Sequence, residues 1–505
     1  MSNAVVIGGG FGGLAASLRL RARGYEVTVV DRCPRLGGRA QVFERNGFRH
    51  DAGPTVITAP FLFDELFALF DRKREDYVKF VPVDPWYRFY YPNGETFDYG
   101  GTLEATIEEI RRINPDDVAG YEELLEQSRK IFDIGFTQLS DIPFHSPATM
   151  FQQIPNLVKL GCYRTVWQLV SRHLKDPRLQ QAFSIQPLLV GGNPFDTTSI
   201  YNLIHYLEKE WGVHFAMGGT GALVDGLGRL MEEVGIRVQL ETTVEEVLVE
   251  KKRATGVRLG NGEVLQADVV VSNADPVHLY RNMVPESEQD LSAKLKQKRA
   301  KFSMGLFVLF FGTRKQYPDV AHHTIWLGER YRPLLKEIFH GKGLPKDFSL
   351  YLHRPTATDP SFAPDGCDSF YVLAPVPNLE AGIDWEKEGP GLRDRIVKAL
   401  DQSMLPGLEE TITDDFYMTP EDFSSDYLSA AGAGFSVAPL FSQSAYFRFH
   451  NRAEGPENLF LVGAGTHPGA GLPGVLCTAK VLDRIVPNPQ VRDTASIPRQ
   501  PFAVS

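Results

Sequence analysis

Short apolar runs separated by glycines open the chain. Residues 5–7 are apolar without interruption, as in a strand buried on both faces, and residues 14–20 follow with helical periodicity. Gly24 ends that helix, and residues 26–30 predict the next strand. A strand, a helix and a second strand in this order predict a βαβ unit and therefore a parallel sheet.

The same alternation returns after residue 212 and again after residue 452. The first return has a helical pattern at 222–233, strands at 237–240, 244–247 and 267–271, and a hairpin turn at 260–262. The second return is a strand at 458–462 that leads into a glycine-rich loop and a helix. Helical, turn and aromatic patterns alternate elsewhere, including a helical stretch from about Ser146 to Ala182.

These patterns predict an α/β chain with two domains. A Rossmann-like, nucleotide-binding domain comprises residues 1–75, 212–276 and 452–487, and it is interrupted twice. An α+β substrate domain comprises the interrupting residues 76–211 and 277–451. Residues 488–505 are rich in Pro, Arg and Ser and predict a disordered tail.

Composition and charge exclude several classes of protein. With 505 residues and 43% hydrophobic side chains the chain can bury two cores, and its formal net charge of −10 argues against a nucleic-acid partner. The four cysteines are scattered, and no His or Cys residues have metal-ligand spacing, so we predict no metal site. The longest apolar run, residues 304–312, is far shorter than the ~20 residues that span a membrane.

Gly8, Gly10 and Gly13 form a G-x-G-x-x-G pattern between the first strand and the first helix. The first glycine permits a tight turn, the second lets a pyrophosphate approach the backbone, and the third packs the helix on the strand. Asp31 closes the second strand and is placed to bind a ribose hydroxyl. The pattern therefore predicts a dinucleotide site, the alternative being a glycine-rich turn without a ligand.

Two further segments favour FAD over a nicotinamide cofactor. Gly38 and Arg39 follow the ribose-binding acid closely and offer a second approach to the diphosphate. A second glycine-rich loop at residues 463–475 leads into a helix near Gly474, whose N-terminus can stabilise negative charge on a reduced flavin. Glycine-rich loops at both ends of the chain suit a cofactor as long as FAD. The alternative for Gly38 and Arg39 is a solvated basic turn, and the alternative for residues 463–475 is a structural loop without a ligand.

Longer strings carry a more specific resemblance. They are DAGPTVIT from Asp51, LLVGGNPFDTTSIY from Leu188, GGTGALVDGL from Gly218, SLYLHRP from Ser349 and GAGTHPGAGLPGV from Gly463. Across nearly its whole length, the chain resembles the bacterial phytoene desaturase family of the FAD-dependent amine-oxidase superfamily. Some members have an Arg-Asp pair where this chain has residues 147–150 (Pro-Ala-Thr-Met), so we assign no catalytic carboxylate there.

The resemblance implies a FAD-dependent oxidoreductase that desaturates phytoene through phytofluene and ζ-carotene to neurosporene or lycopene. An allylic CH₂–CH₂ unit would lose a hydride to flavin N5, and a base, water included, would take the second hydrogen. Because the substrate is dissolved in lipid, we expect a peripheral protein on the cytoplasmic side of the cell membrane. Oxygen or a membrane quinone would reoxidise the flavin.

The predicted site contains cofactor-binding residues only, and the catalytic residues stay unassigned. His205, Glu208 and Trp211 follow a family string and lie close to the site in sequence. Residues 86–91 and 307–311 are aromatic-rich and line either a substrate tunnel or an ordinary core. The cofactor-binding residues are Gly8, Gly10, Gly13, Asp31, Arg32, Gly38, Arg39, Gly53, Pro54, Thr55, Val244, Gly465, Thr466, Gly474 and Val475.

Other functions stay open at this point. A related enzyme would desaturate a hydroxylated carotenoid, or isomerise a carotenoid with a reduced flavin. A flavin-free, lipid-binding escort protein is disfavoured because the glycines of both loops are intact. A soluble amine oxidase is disfavoured because no aromatic cage for an ammonium group is identified.

Overall fold

The computed structural model describes residues 2–489, so nearly all of the predicted tail lies outside the described residues. The strands are, in chain order, β1 (Asn3–Ile7), β2 (Glu26–Val30), β3 (Val42–Arg45), β4 (Phe48–Asp51), β5 (Phe80–Pro82), β6 (Tyr87–Tyr90), β7 (Thr96–Tyr99), β8 (His214–Ala216), β9 (Arg237–Gln239), β10 (Val244–Glu250), β11 (Arg253–Leu259), β12 (Val264–Gln266), β13 (Val269–Ser272), β14 (Gly305–Thr313), β15 (His323–Trp326), β16 (Leu350–His353), β17 (Asp368–Val376), β18 (Ile412–Met418) and β19 (Leu459–Leu461).

The α-helices are, in chain order, α1 (Phe11–Ala22), α2 (Pro60–Ala68), α3 (Leu103–Ile113), α4 (Val118–Phe132), α5 (Pro147–Lys159), α6 (Val166–His173), α7 (Pro177–Ser184), α8 (Leu203–Trp211), α9 (Gly219–Glu233), α10 (Pro276–His278), α11 (Leu291–Arg299), α12 (Tyr331–His340), α13 (Trp385–Asp401), α14 (Leu408–Thr411), α15 (Pro420–Tyr427) and α16 (Leu472–Ile485).

A five-stranded parallel sheet has the order β19-β13-β1-β2-β9. The apolar side chains of β1, β2 and β13 are buried, and helices α1 and α16 pack together beside the sheet. All three segments predicted to form the nucleotide-binding domain contribute strands to this sheet. The predicted parallel sheet is therefore confirmed, and the domain limits stay predictions.

An antiparallel sheet of three strands, β10-β11-β12, follows β9. Its second hairpin turns at residues 260–262, as predicted, and Gly262 takes a positive φ of 86° there. Helix α9 begins at Gly219, earlier than the apolar periodicity suggested. The reason is that Asp51 of β4 accepts backbone N–H bonds from Thr220, at 2.7 Å, and Gly221, at 3.3 Å, and so caps the first turn.

A seven-stranded sheet has the order β18-β14-β17-β16-β15-β6-β7 and belongs to the predicted substrate domain. Strand β14 lies between β18 and β17 and is buried on both faces. On one face Phe307 packs against Trp385 of α13 and Phe311 against Phe370. On the other face Phe310 packs against Phe43 and Phe416. This explains the uninterrupted apolar run that the sequence shows there.

The predicted helical stretch after Ser146 consists of three helices, α5, α6 and α7. Gly161 follows the C-terminal end of α5 and turns the chain with a positive φ of 70°. Thr165 then opens α6 with a capping box that includes Gln168. Asp176 then caps α7 by accepting the N–H of Arg178 at 2.8 Å. Within residues 2–489, no helix combines the length and the apolar character needed to cross a membrane.

Candidate active site

A cavity of about 590 Å³ is lined by residues of both large sheets and of the loops between them. One part of its lining, here called the glycine wall, comes from the loops at residues 8–12, 37–39, 52–55 and 463–475. The other part, here called the apolar wall, includes Phe136, Leu139, Leu157, Leu188, Ile200, Leu203, Leu207, Leu306, Ile325 and Leu373. The two walls differ in the chemistry that they present.

The first glycine loop joins β1 directly to α1. Gly8 has a φ of +90°, and Gly10 stands before α1 without any side chain that caps the helix. A Cβ atom on Gly13 would lie 1.9 Å from the carbonyl oxygen of Gly8, so glycine is required for this helix to pack on the loop. Gly8 and Gly10 line the cavity, whereas Gly13 supports them from behind.

Asp31 lies in the cavity wall directly after β2. Its carboxylate accepts the backbone N–H of Gly9 at 2.5 Å and that of Cys33 at 2.8 Å. These bonds tie the acid to the first glycine loop. The carboxylate is therefore held beside the site where that loop can receive a diphosphate.

The second glycine pair packs against the first loop. The N–H of Gly37 donates to the carbonyl of Gly9 at 2.8 Å, and a Cβ on Gly38 would lie 3.1 Å from the Cα of Gly10. Arg39 lines the cavity, and its Nη2 donates to Ser429 at 3.0 Å. Gly37, Gly38 and Arg39 thus lie beside the first glycine loop, and their contact with a diphosphate stays a prediction.

Arg32 and Val244 also line the cavity. Arg32 is exposed, and its guanidinium donates to backbone carbonyls at the end of α15, including that of Asp426 at 2.9 Å. Val244 is the buried first residue of β10. Gly53, Pro54 and Thr55 add a further stretch of the glycine wall.

The C-terminal loop supplies the opposite side of the glycine wall. Gly465, Gly474 and Val475 line the cavity, and α16 begins after Gly471 without a capping side chain. Thr466 lies behind the wall, because its hydroxyl donates to the carbonyl of Gly463 at 2.9 Å and closes the turn.

Two residues of this region give no signal in the sequence. Buried Arg448 donates to the carbonyls of Ala464, at 2.6 Å, and Thr466, at 3.1 Å, and so fixes the C-terminal loop. The side chain of Asn273 occupies the space that glycines leave, since Cβ atoms on Gly10 and Gly12 would lie 2.8 Å and 2.4 Å from it. No motif or spacing predicts either role.

The glycine wall fits FAD. Two helices, α1 and α16, direct uncapped N-termini at the cavity, and such termini stabilise the negative charge of a diphosphate or of a reduced flavin. Asp31 is placed for the ribose, and the glycines leave backbone exposed where Cβ atoms would intrude. FAD bound here would supply a hydride acceptor.

Glu208 is a carboxylate that the apolar wall brings into the cavity. Tyr87 donates to its Oε1 at 3.0 Å and Tyr99 to its Oε2 at 3.3 Å. Burial raises the pKa of Glu208 to about 7, against the lowering effect of the tyrosine hydroxyls. A group with this pKa can exchange a proton near neutral pH.

The other two residues of α8 suggested by the sequence lie away from the cavity. His205 is buried, and its Nε2 bonds to the carbonyl of Phe183 at 2.7 Å. Trp211 packs against Phe61 and Phe132. Both residues contribute to packing, so only Glu208 of the three reaches the site.

The aromatic-rich segments are mostly core. Tyr87 lines the cavity, but Trp86 and Phe89 belong to the buried cluster around β6 and α7. None of residues 307–311 lines the cavity, although the neighbouring Leu306 does. Ordinary core packing, the alternative considered for these segments, therefore applies to most of their residues.

Helix α5 presents two neighbouring faces with different surroundings. Met150, Gln153 and Leu157 line the cavity. Phe151, Ile154 and Val158 form the next face, where Phe151 is 69% and Val158 59% exposed. The exposed Phe447 lies in a helical turn, residues 445–447, that contacts α5, the exposed Phe441 lies in the neighbouring turn, and the exposed Tyr163 follows α5 in the chain. We call these six residues the apolar patch. An apolar surface of this kind indicates a contact with lipid or protein.

Comparison with known proteins identifies the family. The profile of the flavin containing amine oxidoreductases matches residues 11–480. The chain belongs to this family. It is therefore an oxidoreductase with FAD as cofactor, as predicted.

The resemblance to bacterial phytoene desaturases is also confirmed. The chain is 47% identical to the phytoene desaturase (lycopene-forming) of Pseudescherichia vulneris over 95% of this chain and 98% of the relative. It is 43% identical to the phytoene desaturase (neurosporene-forming) of Cereibacter sphaeroides over 97% of this chain and 96% of the relative.

The predicted fold class is confirmed by solved structures. An oxidoreductase from Methanosarcina mazei superposes with a TM-score of 0.63 at 15% identity, covering 95% of this chain and 100% of that chain. At this level of identity the likeness shows the fold alone.

Proposed function

We propose that the chain desaturates phytoene through phytofluene and ζ-carotene to neurosporene or lycopene, with FAD as hydride acceptor. Two relatives that match almost end to end are named for phytoene desaturation. The observation that carries the proposal is that one cavity has both a glycine wall and an apolar wall. A hydrocarbon offers no polar group for recognition, so its site must be apolar and shaped.

The residues of the apolar wall orient the substrate and exclude water. Leu203 and Leu207 lie on α8, Leu306 on β14 and Leu373 on β17, so the wall is held by elements of the rigid core. Held against this wall, an allylic CH₂–CH₂ unit of a linear carotene faces the glycine loops. Two hydrogens must leave that unit, one as a hydride and one as a proton.

We assign the proton to Glu208. Its carboxylate is in the same cavity as the apolar wall, and Tyr87 and Tyr99 hold both of its oxygens. A proton moves from the allylic carbon to a carboxylate oxygen as the new double bond forms. This role needs the ionised carboxylate, which a pKa of about 7 makes available at neutral and higher pH.

The apolar patch would place the cavity on the lipid surface. Phytoene dissolved in lipid has no water to escape, so burial in protein provides little net driving force, and direct transfer from the bilayer is required. Helix α5 contributes to the patch and to the cavity on adjacent faces. We propose peripheral association with the cytoplasmic side of the cell membrane, with oxygen or a membrane quinone as the final electron acceptor.

The proposal is tested by incubating purified, FAD-loaded protein with phytoene-containing liposomes in air, with and without a quinone. Extracted carotenes are separated by chromatography and identified by absorption. The expected products are neurosporene or lycopene, and the ratio between them gives the number of desaturation steps. Unchanged phytoene with flavin still bound would contradict the proposal. Parallel liposomes with a hydroxylated carotenoid or a cis-carotene would then test the related desaturase and the isomerase.

A further inference from the structure

Three buried histidines from two neighbouring strands meet behind the cavity wall. His323 of β15 and His353 of β16 are direct partners across the antiparallel pair, and His322 precedes β15. All three side chains are buried, and one ring nitrogen from each lies within 4.8 Å of the others. Residues far apart in the sequence thus form one imidazole cluster.

Four ring nitrogens of the three histidines have no protein partner among the described residues. Nε2 of His322, Nε2 of His323 and both nitrogens of His353 are buried without a hydrogen bond among the described residues. Leaving a buried polar atom unpaired costs about 1–3 kcal/mol. Several such atoms gathered in one cluster indicate that something else satisfies them.

The other nitrogens of two rings are fixed from outside. Nδ1 of His322 bonds to the Thr358 hydroxyl at 2.6 Å, and Nδ1 of His323 bonds to the Tyr351 hydroxyl at 2.7 Å. In the tautomer in which Nδ1–H donates to these hydroxyls, each ring is held in orientation and keeps the lone pair of Nε2. In that tautomer both rings can offer Nε2 to a common ligand.

The electrostatics of the cluster are compatible with neutral imidazole ligands. Burial lowers the pKa of His322 to about 3, and burial also lowers those of His323 and His353 well below the usual value. The nearby cation, Arg354, is paired with the buried carboxylate of Asp368 at 3.2 Å. Each imidazole thus keeps a lone pair available for coordination.

We propose that His322, His323 and His353 bind one divalent transition-metal ion of the class that prefers imidazole, with Zn²⁺ as the expected ion. Tetrahedral coordination at ~2.0 Å places ligand atoms about 3.3 Å apart, so nitrogens that lie within 4.8 Å of one another would have to draw closer around the ion. Three protein ligands leave a fourth position for water.

The site would act on the cavity through Tyr351. The Tyr351 hydroxyl contacts both His323 and Thr55, at 2.7 Å and 2.6 Å, and Thr55 and Tyr351 line the cavity. A metal on His323 would orient this ring and, through it, the Tyr351 hydroxyl. The ion is therefore a positioning element for the wall beside the flavin loops.

The experiment uses untagged, full-length, FAD-loaded protein. The protein is treated with a chelator, incubated with Zn²⁺ alone, passed over a desalting column and analysed for metal by mass spectrometry. The expected result is about one zinc per chain, falling at least about tenfold in His322→Gln and His353→Gln. His340→Gln is the matched control, because His340 is exposed on α12, and it should retain the wild-type amount.

A second measurement on the wild-type protein does not depend on folding of the variants. With Cu²⁺ in place of Zn²⁺, the electron paramagnetic resonance spectrum should show coupling to several imidazole nitrogens. Oxidised FAD gives no signal, so it does not interfere with this spectrum. Wild-type protein that retains no ion after desalting, or a copper spectrum without nitrogen coupling, would overturn the proposal. So would folded His353→Gln protein that retains as much zinc as the wild type.

Discussion

The glycine wall and the apolar wall enclose one cavity but are built in opposite ways. The glycine wall consists of backbone at a few positions where side chains are excluded, such as Gly8, Gly10 and Gly38. The apolar wall consists of side chains from many separate elements, such as Leu207 of α8, Leu306 of β14 and Leu373 of β17. A backbone site depends on steric exclusion at particular positions, whereas a side-chain site depends on summed shape.

This difference predicts two kinds of response to mutation. A single methyl group at a glycine of this wall should abolish cofactor binding, because the backbone must then shift away from the position that holds the diphosphate. A single change in the apolar wall should alter substrate handling gradually. Catalysis requires both walls, and within the apolar wall Glu208 is the residue that we assign to proton transfer.

The largest effect is expected for Gly13→Ala. The added Cβ would lie 1.9 Å from the carbonyl oxygen of Gly8, so α1 or the loop must shift away from the diphosphate position. We expect purified protein without flavin absorbance and without activity. Gly391→Ala is the control, because a Cβ there contacts nothing within 4 Å. A Gly13→Ala protein with a full complement of FAD would break the comparison.

The next effect is expected for Glu208→Gln. General-base catalysis contributes about 100-fold or more, so the desaturation rate should fall about 100-fold while FAD stays bound. Glu210→Gln, an exposed change on the same helix, should leave the rate unchanged.

The pH profile tests the same role. Only ionised Glu208 accepts a proton, so the wild-type rate should rise with pH through the pKa of about 7 and then level off. The variant should lack this rise. A Glu208→Gln enzyme with the wild-type rate and profile would assign the proton to water instead.

A smaller effect is expected for the double change Phe151→Ser and Val158→Ser in the apolar patch. Burying such a side chain contributes about 1.5–3 kcal/mol when complete, so liposome binding should weaken about 10-fold or more. Val264→Ser changes an exposed apolar residue of β12 and should leave binding unchanged. Flotation with vesicles measures the binding of the wild type, the double variant and the Val264→Ser control. Equal flotation of these three proteins would refute docking through the patch.

The smallest effect is expected for Tyr351→Phe, which removes hydroxyl contacts to Thr55 and His323. A lost hydrogen bond costs about 1 kcal/mol, so unfolding in urea should begin at lower concentration and turnover should fall up to about fivefold. Tyr317→Phe also loses a buried hydroxyl contact, to Thr411 at 2.8 Å, but lies outside the cavity wall. Equal turnover losses in the two variants would mean that the wall position is irrelevant.

The two walls also differ in how far the sequence predicts them. Gly8, Gly10 and Asp31 follow a spacing that reflects backbone geometry, and the structure places them around one loop. The sequence predicts Thr466 as a contact, but its hydroxyl bonds within the loop and the residue lies behind the wall. A sequence does not show which way a loop residue points. Arg448 was missed because a buried arginine that bonds carbonyls has no characteristic spacing.

The apolar wall and the histidine cluster depend on tertiary packing. Residues 86–91 and 307–311 have the composition of a tunnel, yet most of them form core, since composition does not distinguish the two. His322 and His353 are separated by thirty residues and are joined only by the pairing of β15 with β16. Spacing rules for metal ligands apply to local motifs and therefore miss such a cluster.

The central claim is that a carotene bound at the apolar wall transfers hydride to FAD at the glycine wall. It is tested most directly by mixing FAD-loaded protein with phytoene liposomes without oxygen or quinone, and recording the flavin absorbance. The account predicts that the flavin is bleached and that about one new double bond forms per flavin. The claim would be contradicted by a flavin that stays oxidised, with phytoene either unchanged or converted only to an isomer.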